Sequence, residues 1–161
     1  MWRVLAGDEA EPRWPDGVAL RAYEPADAAA VKALLDEAYA AWDDRYGVQE
    51  QDEWERWMTE HDEFDPELWF IVERDGELVA CALHWKEHDG RGWVKDLVVR
   101  EGERGRGIAK ALLHQGFRAY AARGVERVGL KVDSRNPTGA LELYEGVGFV
   151  VDPTFDSSAE P

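Results

Sequence analysis

The sequence has 161 residues but only one cysteine and two methionines, and its longest apolar runs are five or six residues. The single cysteine, Cys81, excludes an intrachain disulfide and any cysteine-based zinc cage. No metal is expected. Runs such as Leu68–Val72 and Leu78–Leu83 fall far below the roughly 20 residues that span a bilayer. Met1–Val4 lacks the apolar core of a signal peptide. The expected compartment is therefore the reducing cytoplasm. Bases are also scarce, at 19 Lys and Arg against 34 Asp and Glu, for a formal net charge of −15. Nonspecific nucleic-acid binding needs clustered cations, so this balance argues against it.

Eight tryptophans and 45% apolar residues are enough to build a core, and they exclude disorder throughout. The length suits one domain. Residues 1–17 are expected to form an N-terminal strand and linker, 18–152 the folded domain, and 153–161 a flexible tail. The charge is uneven. Residues 24–67 hold 15 acids against three bases, whereas residues 91–132 hold ten bases against four acids.

Val18–Tyr23 alternates like a strand. Asp27 is placed to cap a helix, whose apolar face is Val31, Leu34, Leu35, Ala38, Tyr39 and Trp42, with Gly47 as its breaker. A second helix is expected near 50–60, with Trp54, Trp57 and Met58 on one buried face. Leu68–Arg74 and Glu77–Trp85 flank Asp75-Gly76, a two-residue hairpin signal. A strand follows at Trp93–Val99, then a helix whose face is Ala109, Leu112, Leu113, Gly116, Phe117 and Tyr120. Arg127–Val132 reads as a strand, Asn136-Pro137 as the start of a short helix, and Phe149–Val151 as a last short strand. This order of elements means an α/β fold with a mixed sheet.

Arg104-Gly105-Arg106-Gly107-Ile108-Ala109 stands between a predicted strand and an amphipathic helix. Glycines let the backbone turn tightly and approach a ligand. The first N–H groups of a helix lack internal partners and lie at the positive end of its dipole. Such a corner binds phosphate, and Arg104 and Arg106 add charged donors. The plain alternative is a simple turn with solvated arginines. The loop is not a Walker loop, because no Gly-Lys-Ser/Thr follows. It is not a Rossmann fingerprint, because Lys110 stands at the third small position.

Arg104, Gly107 and Ala109 match the Arg/Gln-x-x-Gly-x-Gly/Ala signature of the GNAT superfamily of N-acetyltransferases. Leu97-Val98-Val99 matches the end of that family's fourth strand. Asn136, Leu143, Tyr144, Gly148 and Phe149 match its later Asn-led helix and Gly-Phe turn. The chain thus resembles the GNAT family over about residues 93–149, and its Asn-Pro-Thr-Gly-Ala run is similar to the mycothiol-synthase-like and tandem members. The resemblance implies a twisted, mostly antiparallel mixed sheet of six to seven strands, splayed between the family's strands 4 and 5 and flanked by about four helices.

It also implies acetyl-CoA as cosubstrate and direct transfer of its acetyl group to a primary amine. Leu97, Val98 and Val99 would pair with the pantetheine arm. Gly105, Arg106, Gly107, Ile108 and Ala109 would cradle the pyrophosphate, framed by Arg104. Asn136 would cap its helix and touch the cofactor. Tyr144 would contact the cofactor and serve as general acid to the leaving thiolate, and a backbone N–H near Val98 would stabilise the developing oxyanion. Some members carry a carboxylate base near the start of the fourth strand, where this chain has Trp93. Asp96 is the nearest strand acid, although alternation turns it from the cleft. His84, Glu87, His88 and water are the other candidate bases. Asn136 and Tyr144 are one residue further apart than is usual in the family.

The stretch after Pro153 is poor strand material. Trp2–Leu5 is expected to fill the sheet position that a last strand would take, in its own chain or a partner's, against a plain reading as a frayed N-terminus; an unfilled sheet edge would favour a homodimer. The acidic, aromatic segment 24–67 points to a cationic small-molecule or peptide amine as acceptor, against a bland reading as solvated acids around a core. The alternative to an enzyme is a non-catalytic acyl-CoA-binding module. A third reading, Arg-Gly-Arg-Gly as an RNA motif, is opposed by the net charge.

Overall fold

The computed structural model describes residues 1–40, 49–133 and 136–152. Trp42, Tyr46, Gly47 and the tail 153–161 lie outside the described residues. In chain order the elements are β1 (Trp2–Val4), β2 (Val18–Ala22), α1 (Ala28–Ala40), α2 (Gln51–Thr59), β3 (Trp69–Arg74), β4 (Glu77–His88), β5 (Arg91–Val99), α3 (Ile108–Ala122), β6 (Arg127–Leu130) and α4 (Ala140–Gly146). The six strands form one sheet in the order β1-β6-β5-β4-β3-β2. Every neighbouring pair is antiparallel except β5 and β6. The sheet is mixed and the four helices flank it, as expected.

Local chemistry explains most of these elements. Asp75 and Gly76 both take positive φ, 53° and 78°, which a two-residue hairpin turn with the twist of its strands requires. Asp27 does not cap α1 from outside. It sits in a short turn ahead of the helix, where its carboxylate accepts from the Glu24 N–H at 2.8 Å and from Arg21 at 2.7 Å. Asn136 likewise caps a turn and not a helix: its side-chain oxygen accepts from the Thr138 N–H at 3.0 Å, and α4 begins only at Ala140. The strand foreseen at Arg127–Val132 stops at Leu130. That foreseen at Phe149–Val151 reduces to one bridge, with Trp2 and Val150 exchanging backbone hydrogen bonds of 2.9 Å. β1 thus lies between β6 and Val150.

The core has two sides. Val31, Leu34 and Leu35 of α1 and Trp54 and Met58 of α2 pack on Trp69, Ile71, Cys81, Leu83 and Val98. On the other face, Leu113, Phe117 and Tyr120 of α3 pack on Val94, Val128, Leu130 and Phe149. Trp57 does not join the core, being 52% exposed. Helix spacing alone cannot separate it from Trp54 on a helix this short.

One buried hydroxyl joins α3 to the sheet. Tyr120 donates to the Trp85 carbonyl at 2.5 Å and accepts from the Trp93 N–H at 3.1 Å. These atoms sit where the β4–β5 register breaks. Tyr120→Phe leaves a buried carbonyl and a buried N–H without that partner. It is expected to cost about 1–3 kcal/mol, read as a lower urea midpoint at unchanged slope.

Candidate active site

β5 and β6 pair in parallel only from Arg91↔Arg127 to Val94↔Leu130. Beyond Val94, β5 runs on to Val99 with no strand on that side among the described residues. A cleft of about 260 Å³ opens at this splay. β5 supplies Leu97, Val98 and Val99 to its wall, the Gly-rich loop supplies Arg104, Gly105, Gly107, Ile108 and Ala109, and the far side supplies Asn136 and Tyr144. Thus ten of the twelve residues expected in the site line one space, and Asp96 and Arg106 do not.

The wall offers unpaired backbone groups. Arg100 donates its N–H to Val79 on β4 at 2.8 Å. Alternation along a strand then turns the Val98 N–H toward β4 as well, and turns those of Leu97 and Val99 into the cleft. The expected oxyanion donor near Val98 is therefore an N–H of Leu97 or Val99. The Val99 carbonyl is taken by Arg104 Nε at 2.9 Å, which ties the loop to the strand.

The loop turns through Gly105 and Gly107, whose φ values are 78° and 87°. A side chain at either position would be strained. Gly107 begins α3 and accepts the Ala111 N–H at 3.0 Å. By helix geometry the N–H groups of Ile108, Ala109 and Lys110 have no helical acceptor, and all three residues line the cleft. Glu103 also lines it, but its carboxylate is held by Arg74 at 2.9 Å and faces Arg106 at 3.6 Å. Arg106 is not among the lining residues, so of the two loop arginines only Arg104 faces the cleft.

The acid–base candidates separate clearly. Tyr144 is half-buried, and burial, with the nearby Asp96 charge, pushes its hydroxyl up to about 12. Asp96 does not line the cleft. It is 7% exposed and accepts from Tyr39 Oη at 3.0 Å, with Lys95 Nζ at 3.5 Å. Burial raises its carboxyl above the usual range. Alternation from Val98 turns Asp96 from the cleft, as expected, and β5 also carries a bulge just before it. Leu83 pairs with Asp96 and His84 with Val94, leaving Lys95 as an extra residue. Lys95 and Asp96 consequently both face the α1–α2 side, where Lys95 approaches the Trp57 ring at 5.9 Å.

The other candidate bases are elsewhere. His84 is fully buried under α3, against the position where a Gly116 side chain would stand, and burial pulls its imidazole down to about 3. Glu87 pairs with Arg123 at 3.1 Å, and exposed His88 faces Asp89 at 3.4 Å. None of the three lines the cleft.

Tyr39, one of the aromatics of the acidic segment expected on the acceptor side, lines the cleft, although no acid–base role is expected of it from sequence. Thr138 and Gly139, within the Asn-Pro-Thr-Gly-Ala run, also line the cleft, though no site role is expected of them. Among the described residues no cluster of His, Cys, Asp or Glu is placed to hold a metal, and no helix is long and apolar enough to cross a membrane.

Residues 30–149 match the family described as acetyltransferase (GNAT) family. The chain is 40% identical over 159 residues to a mycothiol acetyltransferase of Streptomyces avermitilis, covering 96% of this chain and 50% of that one. It is 36% identical to the protein of the same name in Streptomyces coelicolor, covering 94% and 49%. It thus spans about half the length of the curated relatives it matches. The crystal structure of a GCN5-related N-acetyltransferase from Sphaerobacter thermophilus superposes with a TM-score of 0.76 at 34% identity, covering 91% of this chain and 45% of that one.

Proposed function

The chain belongs to the GNAT acetyltransferase family, and on that premise we propose that it transfers an acetyl group from acetyl-CoA to an amine by direct attack. The observation that carries this reading is the splayed β5 edge, set between the Gly-rich start of α3 and Tyr144. The residues present fit an acyl-CoA. An open strand edge suits the amides of a pantetheine arm. A helix N-terminus with three free N–H groups and Arg104 suits a pyrophosphate. Acetyl-CoA supplies the activated acetyl group as a thioester.

In this reading the chain acts at both ends of the thioester. Leu97 and Val99 N–H groups polarise the carbonyl under attack. Tyr144 Oη gives a hydrogen bond to the departing sulfur. Its raised pKa keeps the proton on the phenol at every working pH, so Tyr144 acts first as a hydrogen-bond donor.

The acceptor we propose is a cationic amine. The acid excess of residues 24–67 and the exposed Trp57 ring support it. Part of that acidity is structural, however. Asp27 pairs with Arg21, Asp36 with Lys32, and Asp65 and Glu67 with Arg123. The cytoplasmic setting and the homodimer expected from the sequence belong to the same reading, and sedimentation of the pure chain as a monomer would remove the second.

Two measurements test the reading together. Acetyl-CoA at about 100 times its Kd should stabilise the fold by about 2.7 kcal/mol, seen as a raised Tm. Thiol release over a panel of spermidine, an aminoglycoside, a lysine-led peptide and neutral amines should favour the cations. Stabilisation without release from any amine would leave only the acyl-CoA-binding module. A preference for neutral amines would refute the cationic acceptor alone.

A further inference from the structure

Asp96 stands beside the cleft without lining it, and Tyr39 touches both. The Tyr39 ring lines the cleft from α1, and its hydroxyl donates to Asp96 Oδ1 at 3.0 Å. Asp96 shares the α1 face with Val98, two residues on, and the bulge at Lys95 brings that side chain to the same face beside it. We propose that Tyr39 is a proton relay: it takes the proton of the acceptor amine at Oη while passing its own to Asp96.

The inference rests on the acetyl-transfer reading and deepens it. The balance is simple. The ammonium form of the acceptor loses one proton to Tyr39 Oη. Tyr39 returns to the phenol by giving its original proton to Asp96 Oδ1. The amine lone pair then attacks the thioester carbonyl, the C–N bond forms as the C–S bond breaks, and the second nitrogen proton ends on the departing thiolate, while Asp96 stays neutral until solvent removes the first. Neither a metal nor a redox partner is required.

The surroundings favour this role. The groups that face or act on Asp96 are Tyr39 of α1, Lys95 of β5, Cys81 of β4 and Tyr144 of α4. Burial lifts the Asp96 carboxyl, which makes it a better proton acceptor than a solvated aspartate. Lys95 at 3.5 Å and the Tyr39 donor act against that rise by favouring the charged form. The charge on Asp96 also contributes to the raised pKa of Tyr144.

The test uses the full chain with Tyr39→Phe, Asp96→Asn and the double variant. Asp96→Asn should fold, because it keeps the shape and removes a buried charge. The Asp96 carboxyl titrates above its unfolded value, so the folded state binds the extra proton and loses stability as pH rises through that window. Removing the charge is therefore expected to raise the Tm at neutral pH.

The first readout needs no acceptor. In ¹³C spectra of the aspartate carboxyls, Tyr39→Phe should move the Asp96 midpoint upward by about one pH unit, since a donor to the charged form is lost. The second is kcat/KM against pH with spermidine as the probe amine. In both single variants the acidic limb set by Asp96 should vanish, leaving only the rise of free amine with pH. Loss at pH 7 should be about 10²-fold in each single variant and no greater in the double variant.

An unmoved carboxyl midpoint in Tyr39→Phe overturns the pairing. Losses that multiply in the double variant, or a wild-type limb that persists in Tyr39→Phe, overturn the relay and leave acetyl transfer standing. A wild-type chain that binds acetyl-CoA but acetylates no amine overturns both.

Discussion

Tyr144→Phe is expected to lower kcat by at least about 10²-fold, with acetyl-CoA affinity nearly unchanged. The phenol oxygen is the only atom removed, and the ring keeps its edge contact with Phe149 at 5.9 Å. The cleft wall and the Gly-rich loop are therefore left in place. What is lost is the donor proposed to face the departing sulfur. A thiolate leaving without it carries its full charge into a partly dry cleft, where charge is costly. Stopped assays of thiol release, beside calorimetry with acetyl-CoA, separate the two effects. Equal kcat for both proteins would assign Tyr144 to packing, as a residue on the inner face of a short helix.

The second large effect is expected at Gly107. Gly107→Val puts a β-branched side chain at φ 87°, a conformation that costs an L-residue about 1–3 kcal/mol. Nothing stands within 4 Å of a side-chain carbon there, so the penalty is in the backbone and not in a clash. The chain can escape it by reshaping the turn, which redirects the N–H groups of Ile108 and Ala109. Acetyl-CoA affinity should fall by at least about tenfold, with the loss in Kd and little change in the Tm of the ligand-free chain. Gly102, in the preceding turn, has equal space and no positive φ requirement. Gly102→Ala is the matched control and should bind as the parent does.

Gly105 and Gly107 are legible in the sequence itself, because a tight turn into an amphipathic helix needs them. The hairpin at Asp75-Gly76 and the inner face of α3 are legible for the same reason: a few adjacent residues decide them. The turn of Asp96 away from the cleft is legible by alternation, but Lys95 beside it is not. Its orientation depends on a bulge in β5, a property of two paired strands that is invisible in either alone. Tyr39 is legible as an acceptor-side aromatic, but its pairing with Asp96 is not. Arg106 looks like a phosphate ligand in sequence, but it turns to Glu103, which Arg74 brings to the loop from β3. Asn136 looks like a helix cap, but its nearest free N–H belongs to Thr138, in a turn that precedes the helix. In each case a particular partner overrules a simple local rule. The splay itself belongs to this second class. It follows from a β6 that ends at Leu130 while β5 continues to Val99, and only the paired strands reveal the mismatch.

The most direct measurement is product analysis by mass spectrometry after incubating the chain with acetyl-CoA and the amine panel, with free thiol counted in the same tubes. Acetyl transfer predicts an N-acetylated amine and free CoA in equal amounts, with both falling together in Tyr144→Phe. Acetyl-CoA that raises the Tm yet yields neither product, with any amine and at any pH where the fold is stable, would contradict the account and leave a binding module in its place.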